Sequence, residues 1–343
     1  MVRAVKIALS DAQQTKQDLQ SFLSRDFYVK KEDGYIYFPV IESYTGETVD
    51  VSLRPRSTPT RAIPFKEALQ DILTPEELSF AKTAYEVVGS IAIMEVPDDL
   101  LAKEKEIGQC LLSSNPKIKT VLRKLGGHQG TFRSQDMKVI AGVPTTVATS
   151  KESNTKITYD VTDMYFSARL ATERKRIYRQ VKEGEEVLVM FSGAAPYVVV
   201  LAKNSPAKSV VGVEINPSAH EFALQNITQN KIKNASVHCG DARVVLPTLN
   251  QTFDRIIMPL PKTAETFLDC ALAVAKENAT IHLYGFYHED EFEKAYEHID
   301  AYCKQANRNY TLLSTTKVGQ QSPRTYRICV DFSVHPEKKI VQH

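Results

Sequence analysis

The chain has 343 residues, of which 43 are lysine or arginine and 41 are aspartate or glutamate, so its formal net charge is only +2. This balance excludes a positive field over the whole protein that would attract a polyanion, so any nucleic-acid surface must be local. The five cysteines lie far apart, which argues against a zinc site or a disulfide framework, and we expect no metal. We see neither a signal peptide nor an apolar run that could span a bilayer, and therefore expect a cytoplasmic protein without membrane contact.

The first 162 residues divide into three segments. Residues 1–44 predict a small α/β module with a strand, a helix and a hairpin that turns at Asp33-Gly34. Residues 45–63 are rich in Ser, Thr, Pro and Arg and predict a linker. Residues 64–162 mix helical patterns with antiparallel strand patterns, which predicts an α+β middle domain.

A basic stretch opens the last segment, 163–343. On a helix, Tyr165, Arg169 and Glu173 would recur every four residues and share one face. Glu173 is the single acid among several arginines and lysines. By itself this pattern is equally consistent with a solvated basic helix that carries an Arg–Glu pair.

The remainder alternates apolar strand patterns with helical patterns. The first strand pattern is Val187–Phe191, the second is Val210–Glu214, and two long strand patterns end the chain. Five strand–helix units and a terminal hairpin predict a doubly wound parallel sheet with an antiparallel edge.

The turn after the first of these strands predicts the kind of cofactor. Ligands of such sheets bind at the carboxyl ends of the strands, where Glu214 could accept hydrogen bonds from a ribose. The turn suits either a dinucleotide or S-adenosylmethionine. It holds only Gly193 where a dinucleotide fold needs three glycines, so a pyrophosphate is disfavoured. A cofactor with an adenosine and an amino-acid end fits better.

Several segments taken together resemble the archaeal and eukaryotic tRNA (guanine-37-N1)-methyltransferases over roughly residues 87–334. They are Phe132-Arg133, Tyr165 to Arg174, Met190 to Tyr197, Val213 to Pro217 and Gly240-Asp241. The resemblance implies a class I (Rossmann-like) S-adenosylmethionine-dependent methyltransferase domain preceded by an α+β domain and a small tRNA-elbow-reading domain. It implies N1-methylguanosine at position 37 as product and tRNA, through its anticodon stem-loop and elbow, as partner. We expect a monomer.

The resemblance also implies residue roles. It assigns the cofactor to Phe191, Gly193, Pro196, Glu214, Asp241 and Pro259. It assigns catalysis to Glu173 as general base, to Arg133 facing the guanine O6, and to Tyr165 holding the flipped base. It assigns tRNA contacts to Arg169, Arg174 and Pro261.

The chain departs from the family pattern at the end of the fourth strand. The family usually has Asn-Leu-Pro there, whereas this chain has Pro259-Leu260-Pro261, and proline offers no side-chain donor and no N–H. Ala195 replaces a second glycine and is expected to narrow the cofactor turn. The lost asparagine resembles an archaeal branch that also methylates C7 of 4-demethylwyosine, so dual activity is a second hypothesis. Methylation of another RNA, a protein or a small molecule, or RNA binding without catalysis, are alternatives.

Overall fold

The computed structural model describes residues 1–24, 26–55, 63–127, 130 and 134–336. They form two compact units, Met1–Pro64 and Phe65–His343. None of the helices in these ranges is long and apolar enough to cross a membrane.

The first unit is a four-stranded antiparallel sheet with one helix. Its elements are β1 (Val2–Ala8), a 3-10 turn (Leu9–Asp11), α1 (Ala12–Asp18), β2 (Lys30–Glu32), β3 (Tyr35–Pro39) and β4 (Val49–Val51), and the strand order is β2-β3-β1-β4. Leu19, Ile36 and Phe38 are buried in its core. Strand β4 lies inside the predicted linker 45–63 and pairs with β1, so part of that linker is a strand of this unit.

The second unit begins with a mixed α+β layer. Its elements are α2 (Phe65–Ala68), α3 (Pro75–Phe80), β5 (Tyr85–Val88), β6 (Ile91–Met94), α4 (Glu104–Ser114), β7 (Thr120–Lys124) and β8 (Met137–Gly142), with 3-10 turns at Leu69–Asp71 and Asp98–Lys103. The sheet order is β5-β6-β7-β8, with only β6 and β7 parallel. Helix α4 packs Ile107 and Leu111 on this sheet. A hairpin of β9 (Val147–Glu152) and β10 (Thr155–Asp160) follows.

The rest of the unit is the predicted doubly wound sheet. Its strands are β11 (Glu186–Met190), β12 (Ser209–Glu214), β13 (Ala235–Cys239), β14 (Phe253–Met258), β15 (Ala275–His288), β16 (Arg308–Ser322) and β17 (Thr325–Pro336). Its helices are α5 (Ala171–Tyr178), α6 (Pro196–Asn204), α7 (Pro217–Gln229), α8 (Ala242–Thr248), α9 (Leu268–Ala273) and α10 (Glu293–Gln305), with 3-10 turns at Ala168–Leu170 and Ala264–Phe267.

The strand order locates the site. It is β13-β12-β11-β14-β15-β17-β16, with parallel pairs up to β15 and antiparallel pairs to β17 and β16. The chain order reverses between β11 and β14, and at such a switch point the loops part and leave a crevice at the carboxyl ends of the strands. The residues of β11 from Val187 to Met190 are fully buried, because helices cover both faces of a parallel sheet.

One buried amide joins the hairpin to this sheet. Asn226, on α7, accepts the backbone N–H of Thr158 at 2.8 Å and donates to the carbonyl oxygens of Thr158 and Ala194, each at 2.8 Å. It is fully buried. The amide thus fixes β10 and the turn after β11 to the same helix.

We expect Asn226→Ala to lower the free energy of unfolding by about 3 kcal/mol, because it leaves one buried backbone N–H and two carbonyls without their partner. The exposed neighbour Gln225 supplies the control, and Gln225→Ala should change stability by no more than about 0.5 kcal/mol. Urea unfolding followed by circular dichroism measures both. Coincident unfolding curves for the two variants would contradict this role of Asn226.

Candidate active site

A cavity of about 530 Å³ opens at the carboxyl ends of β11 and β12. All six residues assigned to the cofactor from the sequence line it, namely Phe191, Gly193, Pro196, Glu214, Asp241 and Pro259. Four further residues, to which no role was assigned from the sequence, also line it, namely Asn216, Lys262, Thr263 and Phe267. These four residues follow the carboxyl ends of β12 and β14. Their position at the edge of the sheet where a ligand is expected to bind was the only signal for them in the sequence.

The turn between β11 and α6 has an unusual backbone. Phe191, Gly193 and Ala195 all have positive φ, at 54°, 56° and 63°. The left-handed region costs a non-glycine residue about 1–2 kcal/mol, and the turn accepts that strain twice. The ring of Phe191 packs edge-to-face on Phe267 at 4.9 Å between ring centroids, which holds it beside the cavity. Ala195 is fully buried in the core and does not line the cavity. The expectation that its methyl group narrows the cofactor turn is therefore wrong.

Glu214 ends β12 and is 8% exposed. One carboxylate oxygen accepts the backbone N–H of Gly193 at 2.6 Å and the other accepts that of Asn216 at 2.8 Å. Burial raises the pKa of Glu214, and these backbone hydrogen bonds oppose the shift. Each oxygen has a second lone pair, so the carboxylate can still accept hydrogen bonds from a ribose diol. Asp241 also lines the cavity and caps α8 by accepting the N–H of Arg243 at 2.8 Å.

A second cavity of about 190 Å³ adjoins the first and shares the wall Met164–Ser167 and Leu170. Tyr165, Arg169, Phe286 and Arg327 are among its lining residues. Tyr165 is 38% exposed and Arg169 is exposed. The shared wall therefore places the predicted base-holding tyrosine at both cavities. Arg133 and Phe132 lie outside the described residues.

The predicted helical face that unites Tyr165, Arg169 and Glu173 is wrong. Helix α5 begins only at Ala171, and Arg169 lies in the 3-10 turn before it. The side chain of Asn216 donates to the carbonyl oxygen of Asp163 at 2.9 Å, which removes an acceptor that a helix would use. Residues 164–167 consequently form a wall that the two cavities share.

Glu173 lies in α5, is 5% exposed and lines neither cavity. The guanidinium of Arg176 donates to both carboxylate oxygens at 2.8 Å, and the Tyr284 hydroxyl donates to one of them at 2.5 Å. The Tyr197 hydroxyl in turn donates to that of Tyr284 at 3.2 Å, and Tyr197 does line the cofactor cavity. Burial raises the pKa of Tyr284 well above its usual value, so it stays a donor to the carboxylate.

The two remaining residues assigned to tRNA are buried. Arg174 is 2% exposed, and its Nε and Nη2 donate to the Glu152 carboxylate at 2.5 Å each. It lies 5.2 Å from the ring of Phe166 and forms part of the cofactor-cavity wall, rather than facing solvent as a phosphate ligand would. Pro261 is buried, and its carbonyl oxygen accepts the N–H of Phe286 at 3.0 Å.

A chain of buried charges extends from Glu173 across the sheet. Arg176 also donates to Asp331 at 2.5 Å, and His282 Nδ1 lies 2.7 Å from the same carboxylate. Arg255 donates to His282 Nε2 at 2.7 Å and pairs with Glu185. Since arginine can only donate, His282 Nε2 accepts this hydrogen bond and the ring is neutral. Burial lowers the pKa of His282, which favours the same neutral form. Burial opposes ionisation of Asp331, but the hydrogen bonds from His282 and Arg176 outweigh it and hold its pKa below the usual range.

Within the described ranges, the one group with metal-ligand geometry is His282, Cys329 and Asp331. Arg176 and Arg255 already bind its carboxylate and its imidazole, and their charge opposes a cation.

The matches to known proteins identify the family. The TRM5/TYW2 methyltransferase domain matches residues 148–313, and the TYW2 N-terminal domain matches residues 65–145. The tRNA (guanine(37)-N(1))-methyltransferase Trm5b of Pyrococcus abyssi is 32% identical over 344 residues, which cover 97% of this chain and 99% of that protein. This chain belongs to the TRM5/TYW2 methyltransferase family.

Solved structures agree. The crystal structure of Pyrococcus abyssi Trm5b covers 98% of this chain and 100% of that one with a TM-score of 0.71 and 32% identity. The structure of aTrm5 with tRNALeu covers 97% and 99% with a TM-score of 0.69 and 26% identity. A third relative, Nanoarchaeum equitans Taw22, a tRNA (guanine(37)-N(1))/4-demethylwyosine(37)-methyltransferase, is 28% identical over 72% of this chain and 98% of that protein.

Membership in the TRM5/TYW2 methyltransferase family confirms several predictions from the sequence. They are the resemblance itself, the class I fold, the methyltransferase activity and S-adenosylmethionine as cofactor. The cavity residues fit this cofactor, because a carboxylate at the end of β12 suits a ribose and the turn with one glycine leaves no cradle for a pyrophosphate. The roles of individual residues stay predictions.

We expect the affinity for S-adenosylmethionine to fall on acidification at a pH higher than that at which an exposed glutamate protonates. Burial raises the pKa of Glu214, and its protonated form is a poorer acceptor for the ribose hydroxyls. Below that pKa the affinity should fall about tenfold per pH unit. Isothermal titration calorimetry between about pH 5 and pH 8 measures it. Glu214→Gln should bind more weakly with a flat profile in this range, and parallel profiles would contradict the assignment.

Proposed function

We propose that this protein transfers the methyl group of S-adenosylmethionine to N1 of guanosine 37 in tRNA, as a cytoplasmic monomer. The observation that carries the proposal is the pair of adjoining cavities. The larger is lined by all six residues assigned to the cofactor, and the smaller shares the Met164–Ser167 wall and carries Tyr165 and Arg169. A base turned out of an anticodon loop into the smaller cavity would meet the methyl donor where the two cavities adjoin.

The chemistry requires removal of the N1 proton. Neutral guanine N1 is a poor nucleophile, and a carboxylate within reach can take the proton while the sulfonium methyl is transferred. We assign this role to Glu173. Its three hydrogen bonds from Arg176 and Tyr284 hold it next to Tyr197 in the cofactor-cavity wall. To reach N1 directly, the side chain must exchange at least one of these partners for the substrate.

Negative charge then develops on O6, and a cation there stabilises it. Arg133 keeps this predicted role. Arg169, exposed at the edge of the second cavity, is placed to bind a phosphate of the target nucleotide. Because Arg174 is paired with Glu152, we propose that it positions the cavity wall and does not bind phosphate.

The first unit has a surface suited to the elbow of tRNA. Tyr28, Lys30 and Arg54 lie around one depression, with the Arg54 guanidinium 5.8 Å from the centroid of the Tyr28 ring. An aromatic ring beside cations suits an exposed nucleobase and its phosphate, which supports the proposed elbow contact.

A second activity, C7 methylation of 4-demethylwyosine at position 37, is supported by two observations. The relative Taw22 carries both activities in its name. Pro259-Leu260-Pro261 lacks the asparagine of the usual family pattern, and Pro259 lines the cofactor cavity, so that cavity lacks the asparagine side chain at this position.

We expect labelled S-adenosylmethionine and a tRNA transcript with guanosine 37 to give N1-methylguanosine. A transcript with adenosine 37 is the matched control and should give none. Nucleoside digestion and chromatography identify the product, and tRNA carrying 4-demethylwyosine tests the second activity in parallel. Equal labelling of both transcripts, or label only in protein or small molecules, would overturn the proposal in favour of another methyltransferase substrate.

We expect Glu173→Gln to lower the single-turnover rate by at least about 100-fold, because loss of a general base typically costs this much. Cofactor affinity should not change, since Glu173 does not line the cavity. Tyr284→Phe is the control: it removes one donor to Glu173 but keeps the carboxylate, so its rate should fall far less. Rapid-quench kinetics and calorimetry measure the two quantities. A glutamine variant with normal turnover would exclude Glu173 as the base.

A further inference from the structure

The second cavity contains a buried guanidinium to which no role was assigned from the sequence. Arg327, on β17, is 8% exposed and borders the cavity. Its Nη2 donates to the Tyr165 hydroxyl at 3.2 Å, and its guanidinium carbon lies 5.7 Å from the Tyr165 ring and 5.1 Å from the Phe286 ring. Its buried Nε has no hydrogen-bond acceptor among the described residues.

The charge of Arg327 is also uncompensated. By contrast, the buried or half-buried Arg174, Arg176 and Arg255 each pair with a carboxylate. No carboxylate of the described part of the chain forms an ion pair with Arg327. Arginine cannot lose its proton in proteins, and a buried charge normally has a partner. The acceptor is therefore expected to arrive with a ligand.

The shape of the cavity indicates which ligand. Tyr165 and Phe286 provide flat apolar surfaces beside the guanidinium, and the wall shared with the cofactor cavity lies next to them. Binding of a ligand must expose the buried Nε–H, which then forms a fork with the second Nη2 hydrogen that matches two neighbouring acceptors, as on the O6/N7 edge of a purine. We infer that Arg327 holds the O6/N7 edge of the target guanine, which leaves N1 facing the cofactor. The inference rests on the proposed function.

Held in this way, Arg327 acts in the reaction as well as in recognition. When N1 loses its proton the charge moves to O6, where the guanidinium already donates. Arg327, on β17, thus adds a second cation to the one assigned to Arg133.

The first test is a set of three variants in the full-length protein. Arg327→Met should lower the single-turnover rate on guanosine-37 tRNA about 100-fold, as for loss of an oxyanion donor, with cofactor affinity within about twofold of wild type. Arg327→Lys keeps the charge but not the fork and should recover only part of the rate. Arg324→Met, three residues earlier and exposed beside Glu289 and Asp290, is the matched control and should not change the rate.

The second test locates the acceptor on the substrate. A tRNA with 7-deazaguanosine at position 37 lacks N7 and should react about tenfold more slowly with wild type, but no more slowly than normal tRNA with Arg327→Met. A neutral methylphosphonate 5′ to that nucleotide should slow both enzymes equally. Independent effects of the deaza substitution and the variant, or coupling to the methylphosphonate instead, would overturn the inference. A wild-type enzyme inactive on every tRNA would overturn the proposed function itself, and the inference with it.

Discussion

Glu214, at the end of strand β12, connects the turns that surround the candidate active site. The Glu214 carboxylate accepts backbone N–H groups from Gly193, after β11, and from Asn216, before α7. The Glu214 carbonyl oxygen accepts the N–H of Gly240, after β13, at 2.8 Å. One residue thus fastens three neighbouring turns. A ribose bound to that carboxylate would bind to a group whose position is already fixed, which is the preorganisation that a cofactor site requires.

A second constraint comes from the antiparallel edge of the sheet. Asp331, on β17, binds Arg176 of α5 and His282 of β15, so the proposed base and the terminal strand share one ionic cluster. A buried ion pair recovers little net stability after desolvation, but removing one partner is costly, so the cluster enforces one arrangement of these three elements. The same strand carries Arg327 to the second cavity. The terminal hairpin is therefore part of the site as well as the edge of the sheet.

Local sequence was sufficient for the parallel sheet and for Gly193 and Glu214 in the cofactor cavity, whereas Phe191, Pro196, Asp241 and Pro259 were assigned through the family resemblance. Runs such as Val187–Phe191 are apolar because both faces are covered, and an acid that lines the cavity stands at the strand end in Glu214 and Asp241. The ionic cluster could not be predicted in this way, because Arg176 and Asp331 are 155 residues apart and meet only when β17 enters the sheet. For the same reason nothing in the local sequence indicated a role for Arg327, which is a single cation in an ordinary strand pattern.

The wall at residues 164–167 shows where helical periodicity misleads. A spacing of four suggested a single helix, but the carbonyl oxygen of Asp163 accepts a hydrogen bond from Asn216 and the chain is not helical before the 3-10 turn. Tertiary hydrogen bonds override local preference here. The consequence is functional. A non-helical segment can present Tyr165 to both cavities, whereas a helix would direct it along one face. The arginines around the cavities then differ in their partners. Arg174 is paired with Glu152, while Arg169 and Arg327 line the second cavity. In a chain of net charge +2, this arrangement places positive charge for an anionic substrate where the reaction would occur.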